Sequence, residues 1–274
     1  MTTDAIHAVL PGDLAAALAA RPELGDIDVR YFPELASTND TAAGLAGSGA
    51  ADGTVVIADR QSAGRGRRGR VWDSPPGAGL YLSVVLRGMQ SPVLTLLAGV
   101  AVAEAVQATA GVAVELKWPN DVVGPPAGGG AGSPARRKLA GILTEVLPGA
   151  TERDSAVVVG IGVNVRSRTF PEEIAGLATT MESLARRRMD RSVLCAELLV
   201  RLGRWRRRMA AEGEDLVIAR WRALAPGSRG AAVSWDRAGT RCHGVTAGVD
   251  DTGALLVSCA GGTERIVGGE VRWH

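Results

Sequence analysis

The chain has 274 residues, a formal net charge of +2, 46% hydrophobic residues and 22% charged residues. These values predict a soluble globular protein with a sizeable core and exclude a disordered chain. The low net charge argues against a nucleic-acid coat. The three cysteines form no CxxC pair and no HExxH occurs, so a zinc or redox motif has no support. No secretory signal or membrane span is predicted, and we expect a cytoplasmic protein.

Arginine supplies almost all of the positive charge. The chain has 29 arginines and two lysines, Lys117 and Lys138. A compact ammonium group fits a tight oxygen site that a planar guanidinium cannot enter. Composition alone leaves chance retention of the two lysines equally open, so their sequence context has to decide.

Hydrophobic patterning predicts helices that alternate with strands in the first 225 residues. The predicted helices span Asp13–Ala20, Val93–Ala110, Arg191–Met209 and Glu214–Ala223. The predicted strands span Val29–Phe32, Thr54–Ala58, Leu80–Leu86, Val114–Trp118, Leu139–Val146 and Ala156–Val165. Ser37–Asp40 precede an Ala-rich helical segment and have the residue types of an N-cap, and Gly124–Pro134 form a Gly/Pro-rich insert.

After Pro226 the pattern changes to short alternating segments separated by turn residues. These segments are Ala231–Ser234, His243–Val249, Ala254–Ser258 and Glu264–Val267. We therefore predict an α/β (α+β) domain over residues 1–225 and a small C-terminal β-barrel domain over residues 226–274.

Gln61–Gly79, called the arginine loop below, contains GRGRRG at residues 64–69. The motif matches GxGxxG, but a Rossmann fingerprint requires a helix to begin there, and Pro75 and Pro76 prevent one. A P-loop is excluded because neither lysine follows a glycine. The guanidinium groups of this loop repel each other when unpaired and can bind phosphate or carboxylate oxygens. A solvated basic loop or an RGG-like nucleic-acid contact is equally open.

Polar residues follow several of the predicted strands. Lys117, Asn120 and Asp121 lie where a strand ends, which is where α/β domains bind ligands. Lys138 is followed by the small pair Ala140-Gly141, which permits close approach to the backbone. Residues 160–164 (GIGVN) place two glycines and an asparagine late in a buried strand, with the same implication.

Five motifs in order resemble those of biotin–protein ligases: STN at 37–39, QSAGRGRRGRVW at 61–72, KWPND at 117–121, KLAGIL at 138–143 and GIGVN at 160–164. The resemblance covers about residues 30–274. It implies a mixed-sheet catalytic domain similar to class II aminoacyl-tRNA synthetases and an SH3-like C-terminal barrel. It also implies the enzyme-only type, because about 30 residues before the first motif are too few for an N-terminal DNA-binding domain.

The reaction implied by the resemblance joins biotin to ATP, with Mg²⁺, and forms biotinyl-5′-AMP. Biotin then passes to a lysine of a biotin carboxyl carrier protein domain of a biotin-dependent carboxylase. The resemblance assigns catalysis to Lys138, Arg65 and Arg67. It assigns biotin binding to Ser37, Thr38, Asn39, Gln61, Gly64, Arg65, Gly66, Arg67, Lys138, Gly141 and Gly160. It assigns ATP or adenylate binding to Arg67, Arg68, Arg70, Trp72, Lys117, Asn120, Asp121 and Asn164. No protein ligand is assigned to the metal ion.

Three other interpretations stay open at this point. A lipoate–protein ligase shares the architecture, although GRGRRG and KWPND favour biotin. A nucleic-acid-binding module would use Arg65–Arg70 with the runs Arg186–Arg188 and Arg204–Arg208, which are more typical of solvated helix faces. An inactive ligase fold is the third. We expect no specific DNA partner and no membrane partner, and we leave a homodimer open.

Overall fold

The computed structural model describes residues 8–125, 136–149, 155–237 and 239–274. The insert predicted at Gly124–Pro134 therefore lies almost entirely outside the described residues. The helices are α1 (Gly12–Ala19), α2 (Thr38–Gly47), α3 (Leu94–Ala110), α4 (Glu172–Ala175), α5 (Met181–Ala185), α6 (Arg191–Glu212) and α7 (Asp215–Leu224).

The strands fall into two groups along the chain. Those of the first group are β1 (Val29–Leu35), β2 (Val55–Gln61), β3 (Gly79–Arg87), β4 (Glu115–Lys117), β5 (Asp121–Val123), β6 (Lys138–Leu147) and β7 (Ala156–Asn164). Those of the second are β8 (Arg229–Arg237), β9 (Thr240–Val249), β10 (Leu255–Cys259), β11 (Gly262–Ile266) and β12 (Val271–Trp273). Every predicted helix and strand has a counterpart, with ends that differ by at most three residues.

The first seven strands form one mixed sheet in the order β1-β2-β3-β7-β6-β5-β4. β1 and β2 are parallel, and every other neighbouring pair is antiparallel. The sequence analysis missed β5, because Asp121–Val123 is a three-residue strand that directly follows the KWPN turn. The predicted mixed-sheet α/β fold is confirmed.

The C-terminal strands form an antiparallel sheet in the order β11-β10-β9-β8-β12. A closed barrel would require its two end strands to pair, and in the described residues β11 pairs only with β10, and β12 only with β8. The predicted small all-β unit is thus a five-stranded antiparallel sheet, and no closed barrel is found among the described residues. The domain boundary between residues 225 and 226 stays a prediction.

The two faces of the mixed sheet are covered differently. On one face, α3 packs over the odd residues of β7, such as Val157 and Val159, α6 packs against α3, and together they form the main core. On the other face, the shorter α2 packs over β2, β3 and Val158. Because side chains alternate along a strand, Gly160 and Gly162 lie on this second face. At these two positions β7 has no side chain on this face of the sheet.

None of the helices in the described part of the chain has both the length and the hydropathy that a membrane crossing requires.

The turn between β9 and β10 is organised by Asp250. Its carboxylate accepts hydrogen bonds from the backbone N–H of Thr252 at 2.9 Å and of Ala254 at 3.0 Å, and from the Arg265 guanidinium. Burial raises the pKa of Asp250, but the hydrogen bonds from Arg265, Thr252 and Ala254 outweigh it and hold the pKa well below its usual range.

This lowered pKa predicts a specific acid sensitivity. An unfolded aspartate titrates near pH 4, so the stabilisation by Asp250 is complete above that pH and is lost as the pH falls toward the folded pKa. We expect the stability difference between the wild type and Asp250→Asn, measured by urea unfolding, to shrink steadily between about pH 5 and pH 2. A difference that stayed constant over this range would contradict the prediction.

Candidate active site

A cleft opens on the second face of the mixed sheet, between α2, the arginine loop and the first half of β6. Its lining combines polar, cationic and glycine residues. These are Ser37, Thr38, Asn39, Gln61, Arg65, Gly66, Arg67, Trp72, Asn120, Lys138, Gly141, Ile142, Leu143, Gly160, Ile161 and Gly162. The structure thus brings together twelve of the residues predicted to bind biotin or ATP.

Three glycines form the floor of the cleft. Gly141 of β6 pairs with Gly162 of β7, and Gly160 lies two residues earlier on the same face. A Cβ at Gly160 would lie 1.9 Å from Asn39 Oδ1, and one at Gly162 would lie 2.5 Å from Trp72 Nε1. These positions require glycine because the side chains of Asn39 and Trp72 occupy the space.

The start of α2 lies at one end of the cleft. Ser37 caps this helix, since its Oγ accepts a hydrogen bond from the backbone N–H of Asp40 at 3.3 Å. The Thr38 N–H donates to Gln61 Oε1 at 2.8 Å, and Gln61 Nε2 donates to Ser74 Oγ at 2.9 Å. The helix start is thereby joined to both ends of the arginine loop.

Asn39 is buried, and its amide is fully used by the protein. Its Nδ2 donates to Glu145 Oε2 at 2.7 Å and to the Leu143 carbonyl at 3.3 Å, and its Oδ1 accepts from Ser83 Oγ at 2.6 Å. The sequence analysis missed Ser83 and Glu145. Each is a polar residue within a largely apolar strand, and that placement is a weak signal in the sequence.

Lys138 lies at the opposite end of the cleft. Its Nζ is 2.6 Å from Asp121 Oδ1 and 5.3 Å from the centroid of the Trp72 ring. A Cβ at Gly141 would lie 3.1 Å from the Lys138 Nζ, so the glycine leaves room for the ammonium group. Asp121 orients this ammonium, and the aromatic face favours its positive charge.

Arg67 reaches into the cleft from the arginine loop and is half-buried. Its Nη1 donates to Asn120 Oδ1 at 3.1 Å, and Asn120 Nδ2 donates to the Ile142 carbonyl at 2.8 Å. Burial lowers the pKa of the Arg67 guanidinium, and Asp121 partly offsets this effect. An arginine stays protonated in proteins, so the buried guanidinium favours an anionic partner.

Carboxylates neutralise the other arginines of the loop. Arg65 pairs with Asp40 and with Glu145, the latter at 2.5 Å. Arg70 pairs with Glu270 from the C-terminal sheet, and Arg68 Nη1 lies 3.7 Å from the same carboxylate. Because these ion pairs offset the repulsion expected between unpaired guanidinium groups, the loop is held at several points.

Six predicted residues lie outside the cleft lining. Arg68 and Arg70 face Glu270, and Asp121 lies behind Lys138. Gly64 forms the neck of the arginine loop, where its carbonyl accepts from the Trp72 N–H at 2.8 Å.

The last two of these are Lys117 and Asn164. Lys117 lies 5.8 Å from the Trp273 ring, and burial lowers the pKa of its ammonium group. Asn164 is buried at the end of β7, opposite Gly79. Lys117 and Asn164 therefore lie outside the lining of the cleft.

The indole of Trp72 lies on the cleft floor, and its N–H is buried without a hydrogen-bond partner among the described residues. The cavity volume is about 50 Å³, whereas small-molecule sites usually have about 300 Å³ or more. The cleft therefore has to widen before it can hold a ligand of that size. An acceptor atom of the ligand would then satisfy such an orphan donor.

This arrangement defines a class of protein. A mixed-sheet α/β domain presents one lysine and two arginines to a polar cleft that a loop closes, so it binds a small anionic ligand.

Comparisons with known proteins identify the family. The profile of the Biotin/lipoate A/B protein ligase family matches residues 31–164. The chain is 36% identical to the biotin--[acetyl-CoA-carboxylase] ligase of Mycobacterium tuberculosis, over 88% of each chain. It is 34% identical to the bifunctional ligase/repressor BirA of Bacillus spizizenii, over 88% of this chain and 72% of the relative. A solved biotin protein ligase from Aquifex aeolicus, in complex with biotin and ATP, superposes with a TM-score of 0.76 at 28% identity, covering 90% and 98% of the two chains.

The chain belongs to the biotin/lipoate A/B protein ligase family, among the biotin protein ligases. The resemblance drawn from the five motifs is confirmed.

Proposed function

We propose that the chain activates biotin with ATP to form biotinyl-5′-AMP and then transfers biotin to one lysine of a biotin carboxyl carrier protein domain. One observation carries the proposal within this family. Lys138, Arg65 and Arg67 converge on a cleft whose floor is formed by glycines.

The first step joins two anions. A carboxylate oxygen of biotin attacks the α-phosphorus of ATP, and the bond from that phosphorus to pyrophosphate breaks. Positive charge is needed because both reactants are negative. Lys138, held by Asp121 at 2.6 Å, bridges the carboxylate and the α-phosphate. Arg65 and Arg67 neutralise the acid and the phosphates from the loop above.

In the second step, the neutral amine of the carrier lysine attacks the acyl carbon of the mixed anhydride. The carbon–oxygen bond to AMP breaks, AMP leaves with the electron pair, and the amine loses a proton. An acyl phosphate hydrolyses readily, so the cleft has to exclude water until the carrier arrives. Trp72 and the arginine loop supply that cover.

We assign each of the remaining motif residues to biotin or to the nucleotide. Ser37, Thr38, Asn39 and Gln61 shape the end that receives the ring of biotin, and Gly64, Gly66, Gly141 and Gly160 let the backbone approach it. Asn120, Asp121, Trp72, Arg68, Arg70, Lys117 and Asn164 serve ATP or the adenylate. Arg68 and Arg70 have to leave Glu270 to reach the nucleotide, and Lys117 and Asn164 lie outside the present cleft lining.

We propose that Mg²⁺ binds together with ATP. Among the described residues no group of three or more histidine, cysteine, aspartate or glutamate side chains could hold a metal ion. Asp121, the carboxylate beside Lys138, is paired with the ammonium group of that lysine. We therefore propose that phosphate oxygens and water coordinate Mg²⁺, whose preference for retained water fits this arrangement.

The sheet edge beside the cleft supports the proposals about partners. Among the described residues, β5 pairs with β6 from Lys138 to Gly141, and the stretch from Leu143 to Leu147 pairs with β7 alone. An exposed strand edge of this kind can pair with another chain. We propose that the carrier domain, or a second copy in a homodimer, docks here.

We also propose a cytoplasmic location. The three cysteines are free thiols, which is typical of a reducing compartment.

The acid substrate is tested by a comparison of biotin with lipoate. With ATP and Mg²⁺, we expect stoichiometric release of pyrophosphate in a single turnover with biotin, and none above background with lipoate. Pyrophosphate release with lipoate alone would establish the lipoate–protein ligase alternative instead. Salt-dependent DNA binding without release from either acid would favour the nucleic-acid module.

Ligand-dependent closure of the arginine loop is the next expectation. Ordering this loop on a ligand offsets its conformational entropy with charge-assisted contacts. We expect saturating biotin with ATP to protect residues 61–76 from trypsin, which cleaves after arginine. Cleavage there at an unchanged rate, with adenylate bound, would contradict a closing lid.

Arg67 is expected to retain the intermediate. It is the half-buried arginine of the loop, and Arg67→Gly removes its contact with Asn120 and its charge above the cleft. We expect the variant to form adenylate and to release it about tenfold faster or more, as befits the loss of one charge-assisted contact. The measurement is the dissociation rate of labelled biotinyl-5′-AMP, with Arg60→Gly, whose partner is the exposed Glu34, as the control. Equal rates for both variants would exclude Arg67 as a clamp.

A further inference from the structure

The carboxylate of Glu145 joins three parts of the cleft that are far apart in sequence. Glu145 lies on β6, opposite Val158 of β7. Its Oε2 accepts from Asn39 Nδ2 at 2.7 Å, and its Oε1 accepts from Arg65 Nη2 at 2.5 Å. One side chain therefore ties the first turn of α2 and the arginine loop to the central sheet.

Arg65 is held from outside the cleft while it still lines the cavity. Its Nη1 pairs with Asp40 and its Nη2 with Glu145. A guanidinium has five N–H donors, so two such pairs leave donors for a ligand. Burial favours loss of the proton, but the hydrogen bonds that Arg65 donates to Asp40 and Glu145 outweigh it and raise the pKa of Arg65.

The two carboxylates that hold Arg65 are not equivalent. The Glu145 side chain is 28% exposed, whereas that of Asp40 is 56% exposed. Ion pairs that face water contribute little, because solvent screens them. Glu145 therefore holds Arg65 more strongly than Asp40 does. Unlike Asp40, Glu145 also accepts a hydrogen bond from the Asn39 amide.

We propose that Glu145 is a positioning residue, which holds Arg65 with its free donors directed at the cleft and so prepares it for the carboxylate of the acid substrate. Preorganised donors bind an anion more tightly because less freedom is lost on binding. The inference rests on the proposed function, since it requires an acid to meet Arg65.

A double-mutant cycle separates this role from general stability. The variants are Glu145→Gln, Arg65→Ala and their combination, with Glu34→Gln as the control for loss of an exposed carboxylate paired with arginine. Glutamine at 145 can still accept from Asn39 through its oxygen, but it loses the charge that holds Arg65. The readouts are the KM for biotin and the kcat of pyrophosphate release, with the thermal unfolding temperature of each variant.

We expect Glu145→Gln to raise the KM for biotin about tenfold while kcat changes by less than about twofold, since binding and not chemistry is affected. In the Arg65→Ala background, Glu145→Gln is expected to change the KM by less than about twofold, and Glu34→Gln is expected to change nothing. Glu145→Asp, which keeps the charge on a shorter side chain, is expected to lie between the wild type and Glu145→Gln.

An effect of Glu145→Gln on KM that persisted undiminished without Arg65 would overturn the inference, as would an unchanged KM in the single variant. If Glu145→Gln failed to fold, the cycle would be read with Glu145→Asp under the same criteria. The wild-type enzyme distinguishes failure of the proposed function from failure of the role of Glu145. Absence of pyrophosphate release with biotin in the wild type refutes the proposed function, whereas normal release with an additive cycle refutes only the role of Glu145.

Discussion

Replacing Lys138 by alanine is expected to slow adenylation of biotin by about a hundredfold or more, the scale for loss of one donor to a transition state. The Lys138 ammonium is the compact cation of the cleft, with Asp121 at 2.6 Å and the Trp72 ring beneath it. It can contact two oxygens at once and follow the negative charge from the acid to the phosphate. The measurement is the single-turnover rate of pyrophosphate release at saturating biotin and ATP.

Lys138→Arg is the matched variant for this prediction. It keeps the positive charge, but a planar guanidinium presents its donors in a fixed fork and cannot follow the moving charge as a compact ammonium can. We expect it to recover only part of the lost rate. A near-normal rate in Lys138→Ala would remove this residue from the mechanism.

Gly160→Ala is the second change with a large expected effect. The added Cβ would lie 1.9 Å from Asn39 Oδ1, so the Asn39 side chain has to leave its contacts with Ser83 and Glu145. We expect the free energy of unfolding to fall by about 1–3 kcal/mol, the usual cost of overpacking, and biotin binding to weaken with it. Urea unfolding and calorimetric titration with biotin measure the two effects.

The control for Gly160→Ala lies in α2. At Gly44 a Cβ would meet nothing within 4 Å, so the same substitution adds helix propensity without a clash. We expect Gly44→Ala to be neutral or to stabilise the protein by up to about 1 kcal/mol. If Gly160→Ala were as stable and bound biotin as tightly as Gly44→Ala, the glycine floor would have no steric role.

The sequence predicted the parts of the cleft that depend on local residue type. Each of these features is visible within one short stretch of sequence: Gly160 and Gly162 in a buried strand, the short Gly-Arg stretch, and the two rare lysines. The structure places Gly160, Gly162, Arg65, Arg67 and Lys138 around one cleft. The helix cap at Ser37 was also visible locally, and it is present.

What the sequence could not show depends on pairing between distant segments. Glu145 and Ser83 acquire their roles only because α2 packs over β2, β3 and β7, which brings Asn39 beside them. The pairing of Arg68 and Arg70 with Glu270, which lies 200 residues beyond Arg70, joins two segments that no local pattern connects. The order of the C-terminal strands is a long-range property too, since alternation along each strand does not determine which strands pair.

The most direct test of the central claim follows the acyl group to its acceptor. A biotin carboxyl carrier protein domain is incubated with the enzyme, biotin, ATP and Mg²⁺, and its intact mass is measured. The account predicts a gain of one biotinyl group that requires ATP and disappears when the target lysine of the carrier is replaced by arginine. An unchanged carrier mass with folded enzyme at saturating substrates, or the same gain without ATP, would contradict it.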